Sequence, residues 1–102
     1  MKLLTKELEK KFKKYGRQEV IKEPVAIAKF FNPTGSGTWY ATEYYPKEKK
    51  FFGYVTGLSY NEWGYFSLKE LETVELPFGL KIERDLYFEE TPIREIIENE
   101  KS

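Results

Sequence analysis

The sequence predicts an α+β fold: a twisted, mainly antiparallel sheet of about five strands with three short helices. Residues 24–58 alternate aromatic-rich, β-branched runs with short stretches of turn chemistry, the pattern of a three-stranded antiparallel meander. The segments "TKELEKKFKKYG" and "SLKELETV" open on capping residues and repeat apolar residues at helical spacing, and a third such segment follows Thr91-Pro92. At 102 residues the chain has room for one modest core, and it is read as a single domain over residues 1–102.

In chain order, Thr5 caps the first helix, Gly16 ends it, and Leu4, Leu8, Phe12 and Tyr15 share its apolar face. "GRQEVIKEP" is a connection. "VAIAKFF" is apolar on both alternating faces and predicts a strand covered on both sides. "NPTGSGT" turns the chain into the strand "TWYATEYY", and the charged turn "PKEKK" leads into "FFGYVTGL". "WGYF" is a short fourth strand. Ser67 and Glu70 then form a capping box for a helix whose Leu68, Leu71 and Val74 point inward. "ELPFG" is a loop and "LKIERDLYF" a strand. Pro92 occupies the first position of a last helix with Ile93, Ile96 and Ile97 on one face, and the tail "ENEKS" is expected to fray. The core is expected to hold Val25, Ile27, Leu68, Leu71, Ile82, Leu86 and Ile96.

Composition excludes several chemistries. The chain has no Cys, hence no disulfide and no thiolate, which makes the cytoplasm the expected compartment. It has no His, the commonest general base and metal ligand. Seventeen basic and 17 acidic residues cancel, against the basic excess usual for a protein that coats nucleic acid. No run is long and apolar enough to span a bilayer. No cofactor motif is present: the G-x-G of "NPTGSGTW" joins two strands and lacks the helix that a phosphate loop requires.

The phrases "TWYATEYY", "FFGYVTGL", "WGYFSLKELE", "LPFGLKIERDLYF" and "TPIREI", in that order and with "LLTKELEKKF" and "PVAIAKFFNP" before them, resemble the small bacterial family DUF2958 over nearly the whole chain. The resemblance implies a compact cytoplasmic protein of a family typically carried on plasmids, phages and integrated mobile elements. It supplies no activity and no catalytic residues to carry over. The Lys-rich end of the first helix and the Lys-rich turn depart from the commoner pattern.

The remaining signal lies in the rings, of which Thr38–Gly57 holds seven. Strict alternation puts Trp39, Ala41, Glu43 and Tyr45 on one face and Tyr40, Thr42 and Tyr44 on the other. Trp39, with the largest apolar area, is expected to be the buried partner, leaving Tyr40 and Tyr44 as an exposed strip. An exposed strip of this kind marks an interface, so the leading expectation is a non-enzymatic module that binds another protein through Tyr40, Tyr44 and Tyr45, a homodimer being the simplest case. The alternative is a nucleic-acid-binding module in which Tyr and Trp stack bases while Lys10, Lys13 and Lys14 hold phosphates; a solvated helix face is the ordinary reading of that lysine run. The third reading is a small hydrolase using Glu43 and Asp85 as acid and base, weighed against a structural role for both. No ligand spacing supports a metal site at Glu43, Glu83 and Asp85.

Overall fold

The computed structural model describes residues 2–18 and 22–101, the last by its backbone alone. The chain runs α1 (Lys6–Tyr15), β1 (Val25–Ala26), β2 (Ala28–Phe31), β3 (Thr38–Tyr45), β4 (Lys50–Thr56), β5 (Glu62–Ser67), α2 (Leu68–Thr73), a 3₁₀ turn (Pro77–Gly79), β6 (Glu83–Arg84), β7 (Thr91–Pro92) and α3 (Ile93–Lys101). It is an α+β fold whose main sheet has five antiparallel strands in the order β5-β4-β3-β2-β6, with β1 and β7 pairing separately.

Local chemistry sets the boundaries. The Thr5 hydroxyl accepts from the Leu8 N–H at 3.2 Å, and Gly16, at φ 68°, donates back to the Phe12 carbonyl as the helix ends. Ser67 caps α2 by accepting from the Glu70 N–H at 3.0 Å. In the β2–β3 turn, the Asn32 side-chain oxygen accepts from both the N–H and the hydroxyl of Thr34, the Asx-type closure that Asn-Pro favours.

The sheet is covered on both faces. On one, α1 and α2 press Leu8, Phe12 and Leu71 onto Phe30, Phe51 and Phe66, with ring centroids 5.1 Å apart for Phe30–Phe51 and 5.5 Å for Phe51–Phe66. On the other, α3 presses Ile93 and Ile96 onto Ala26, Tyr40 and Tyr54. The β1–β7 pair clamps α3 there: Val25 lies opposite Pro92, and the Ile93 N–H donates to the Pro24 carbonyl at 2.9 Å.

Four expectations change. "VAIAKFF" is two strands in different sheets, split at Ile27, and its two faces feed the two cores. "LKIERDLYF" is a strand only at Glu83–Arg84; the chain then turns at Asp85, whose side chain accepts from the Tyr87 N–H, so Leu86 is 60% exposed rather than buried. Val74 falls beyond the last turn of α2 and is also exposed, while Val25 and Leu68 are half-buried. The stretch expected to fray is helical as far as Lys101, and Ser102 lies outside the described residues.

Candidate functional site

A β-bulge decides which rings meet which face. Ala41 pairs with Gly53, but the next pair is Glu43 with Phe52, so Thr42 is an extra residue in β3. The bulge inverts the alternation for the second half of the strand. Tyr44 joins Trp39 on the α1–α2 face, while Glu43 and Tyr45 turn to the α3 face with Tyr40. The expected exposed pair is therefore corrected. Tyr40 is only 8% exposed, packed against Phe88 at 6.1 Å beneath α3, and Tyr44 is half-buried against Phe12 and Phe51. Burial, then the charges of Glu100 and Asp85, raise the Tyr40 phenol above its ordinary pKa. Trp39 packs against the main core as expected but stays half-buried.

An open aromatic strip exists nonetheless, with different members. Face by face, the ladder aligns Glu43, Phe52 and Tyr65 in one row and Tyr40, Tyr54 and Trp63 in the next. Tyr40 and Tyr54 lie in the core under α3, whereas Trp63 is 41% and Tyr65 57% exposed. Phe52 stacks on Trp63 at 5.8 Å and meets Tyr65 edge-on at 4.9 Å; Tyr65 in turn touches Tyr45 at 6.0 Å. Next to these rings is a hollow of about 300 Å³ lined by Gln18, Pro24, Thr42, Glu43, Phe52, Trp63 and Tyr65.

Glu43, 2% exposed, is the acidic group lining this hollow, beside the buried Gln18 and Thr42. Its Oε2 accepts from the Gln18 N–H at 3.0 Å, and its Oε1 accepts from the Tyr45 hydroxyl. Burial first, then the bond to the Glu43 carboxylate, raise the Tyr45 phenol well above the ordinary 10.0. Gln18, in a stretch read only as a connection, fastens the site: its amide donates to the carbonyls of Val25 at 3.0 Å and Thr42 at 2.7 Å, and accepts from the Val25 N–H at 2.6 Å. One side chain thus ties the bulged residue Thr42 to the start of β1. The only sequence signal for it is that Gln18 is the single Gln of the chain.

The family model for DUF2958, proteins of unknown function, matches residues 3–99. The chain belongs to the DUF2958 family. No curated protein and no solved structure matches it.

Of the lysines proposed for this DUF2958 chain, Lys10 and Lys13 line a second groove, of about 770 Å³, together with Lys6, Arg17, Tyr44 and Tyr45. Lys14 is exposed but lies outside the groove's lining. Glu9 and Glu43 also line this groove, which reduces its positive field. Glu43 is therefore shared between the two hollows, with Arg17 standing over the Tyr45 ring at 5.8 Å.

The structure does not bring the proposed acid–base pair into one hollow. Asp85 lines a separate one with Lys29, Phe31, Glu83 and Arg84, and its carboxylate lies 3.6 Å from the Lys29 ammonium, a partner outside the arginines considered from sequence. Among the described residues no group of three or more carboxylate, His or Cys side chains is placed to hold a metal ion, and no helix is long and apolar enough to cross a membrane.

Proposed function

We propose that this DUF2958 domain is a non-catalytic cytoplasmic binding module that takes a peptide segment of another protein across the open aromatic part of its sheet. The observation that carries this reading is the coverage of the α3 face. Helix α3 closes over Tyr40 and Tyr54, while Phe52, Trp63 and Tyr65 continue the same face beyond it with Trp63 and Tyr65 open to water. Contiguous exposed rings with wettable polar edges are the composition of interface cores. The separation of Glu43 from Asp85 into different hollows weighs against a hydrolase that uses them as an acid–base pair.

A second reading is favoured by the groove between α1 and β3, where Lys10 and Lys13 meet Tyr44 and Tyr45. Cations beside rings suit a single-stranded nucleic acid, with bases stacked and phosphates neutralised. Glu9 and Glu43 on the same walls place it second.

Selection from a random peptide library on the wild-type protein and on the Trp63→Ala/Tyr65→Ala variant, beside titration with single-stranded oligonucleotides, separates the two. Peptides retained by the wild type and lost by the variant support the module. Oligonucleotide binding that weakens steeply with salt and is reduced in Lys10→Ala/Lys13→Ala would replace it by the second reading. Retention of neither, or of peptides equally by both proteins, would sink the aromatic-face reading.

A further inference from the structure

A carboxylate is expensive to bury, and the cost is normally offset by a counter-ion as well as by hydrogen bonds. Glu43 has the hydrogen bonds, from the Gln18 N–H and the Tyr45 hydroxyl, while the Arg17 guanidinium, which bonds the same Tyr45 hydroxyl, lines the second groove and not the aromatic hollow. Two donors leave a carboxylate with free lone pairs. The same group lines the hollow beside Phe52, Trp63 and Tyr65, whose π faces and edges supply a concave aromatic wall.

A negative charge at the base of an aromatic hollow is the chemistry that recognises an organic cation. The carboxylate supplies the charge, and the rings supply cation–π attraction without demanding hydrogen-bond geometry. The chain already shows that the outer ring accepts a cation: the Lys50 ammonium stands 4.4 Å from the centroid of Tyr65. The volume, about 300 Å³, fits the end of one long side chain rather than a nucleotide or a cofactor.

We infer that the Glu43 hollow is a subsite for a cationic side chain, the ammonium of a lysine or the guanidinium of an arginine, carried by the bound peptide. The inference rests on the aromatic-face reading and specifies its anchor. Phe52 and Trp63 hold the alkyl stem, and Glu43 takes the charged head. Gln18 and Tyr45 are positioning residues that aim the carboxylate from behind.

The test is NMR titration of the intact protein with N-acetyl-lysine methylamide, its arginine counterpart, and the neutral isosteres N-acetyl-norleucine methylamide and citrulline. The expected result is perturbation of the Trp63 indole and Tyr65 signals by both cations, at affinities about tenfold or more above those of the neutral probes. In Glu43→Gln the preference for cationic over neutral probes should collapse. Because the wild type alone compares cation with neutral, the outcome does not depend on how well that variant folds. Equal binding of charged and neutral probes at Trp63 would overturn the cation subsite and leave the aromatic face standing. No perturbation of Trp63 or Tyr65 by any probe, together with no retained peptide, would remove both. Self-association abolished by Glu43→Gln would place a lysine of a second copy in the hollow and overturn the assignment to a partner peptide.

Discussion

Tyr45 donates its hydroxyl to the carboxylate of Glu43, two positions earlier on the same strand. The two side chains share a face only because residues i and i+2 of a strand do, and that face is the α3 side only because Thr42 bulges out just before them. Removing the hydroxyl by Tyr45→Phe leaves a 2%-exposed carboxylate whose remaining donor among the described residues is the Gln18 N–H. The expected loss of stability is about 1.5–3 kcal/mol, the range for hydrogen bonds to charged groups. Chemical denaturation of the two proteins measures it, and a difference within error would mean that water replaces the hydroxyl at no cost.

Burial of the phenols sets an alkaline limit. The Tyr40, Tyr44 and Tyr45 phenols are all raised above the ordinary 10.0, in each case by burial first. A raised phenol means the folded state holds its proton more tightly than the unfolded state. Below pH 10.0 both states are protonated and the stability is fully present. Above it the unfolded chain ionises first, so stability falls as pH rises toward the folded-state values. Melting temperature followed from neutral pH upward should be flat and then fall beyond pH 10.0. The fall should be shallower in Tyr45→Phe; an unchanged slope would show that Tyr45 ionises as freely folded as unfolded.

How far the sequence could be read follows from the range of each signal. Thr5, Gly16 and the Ser67–Glu70 box act within a few residues, and they place α1 and α2 where capping chemistry predicts. The meander was legible because its turns are local as well. The site was not. Strand alternation assumes an uninterrupted ladder, and the bulge at Thr42 has no residue-type signature, so alternation puts Tyr44 on the wrong face; Tyr40 keeps its face and is buried by α3, a long-range contact. Gln18 reaches Thr42 across 24 positions of chain, a relationship that no local pattern encodes. Leu86 sits in an apolar-looking run that ends at an Asx turn instead of continuing as a strand.

Two glycines facing each other across β4 and β5 should behave oppositely. Gly53 pairs with Gly64, yet a Cβ on Gly53 would lie 1.9 Å from the Tyr40 carbonyl oxygen, whereas one on Gly64 would meet nothing within 4 Å. Gly53→Ala must push β3 away from β4 next to the bulge. It should cost about 1–3 kcal/mol, as overpacking does. Gly64→Ala removes backbone freedom from the unfolded chain at no steric cost and should be neutral or stabilising by about 0.4–1 kcal/mol. Equal losses at the two sites would contradict the close strand approach at Gly53.

Leu71 and Leu86 provide the last contrast, since both were expected in the core. Leu71 is 4% exposed, held by the capped helix α2 against the cluster around Phe51 and Phe66. Truncation there removes buried methyl groups and opens a cavity between helix and sheet, so Leu71→Ala should destabilise by about 2–5 kcal/mol. Leu86 is 60% exposed at the turn after β6, and Leu86→Ala should change stability by less than about 0.5 kcal/mol, as surface substitutions do. Urea unfolding with a common m value reads both. A loss at Leu71 no larger than that at Leu86 would mean that α2 is only loosely docked. Because Ser67 both ends β5 and caps α2, a loose α2 would also leave Trp63 and Tyr65 on a poorly anchored strand, and the aromatic face would lack the rigidity a binding surface needs.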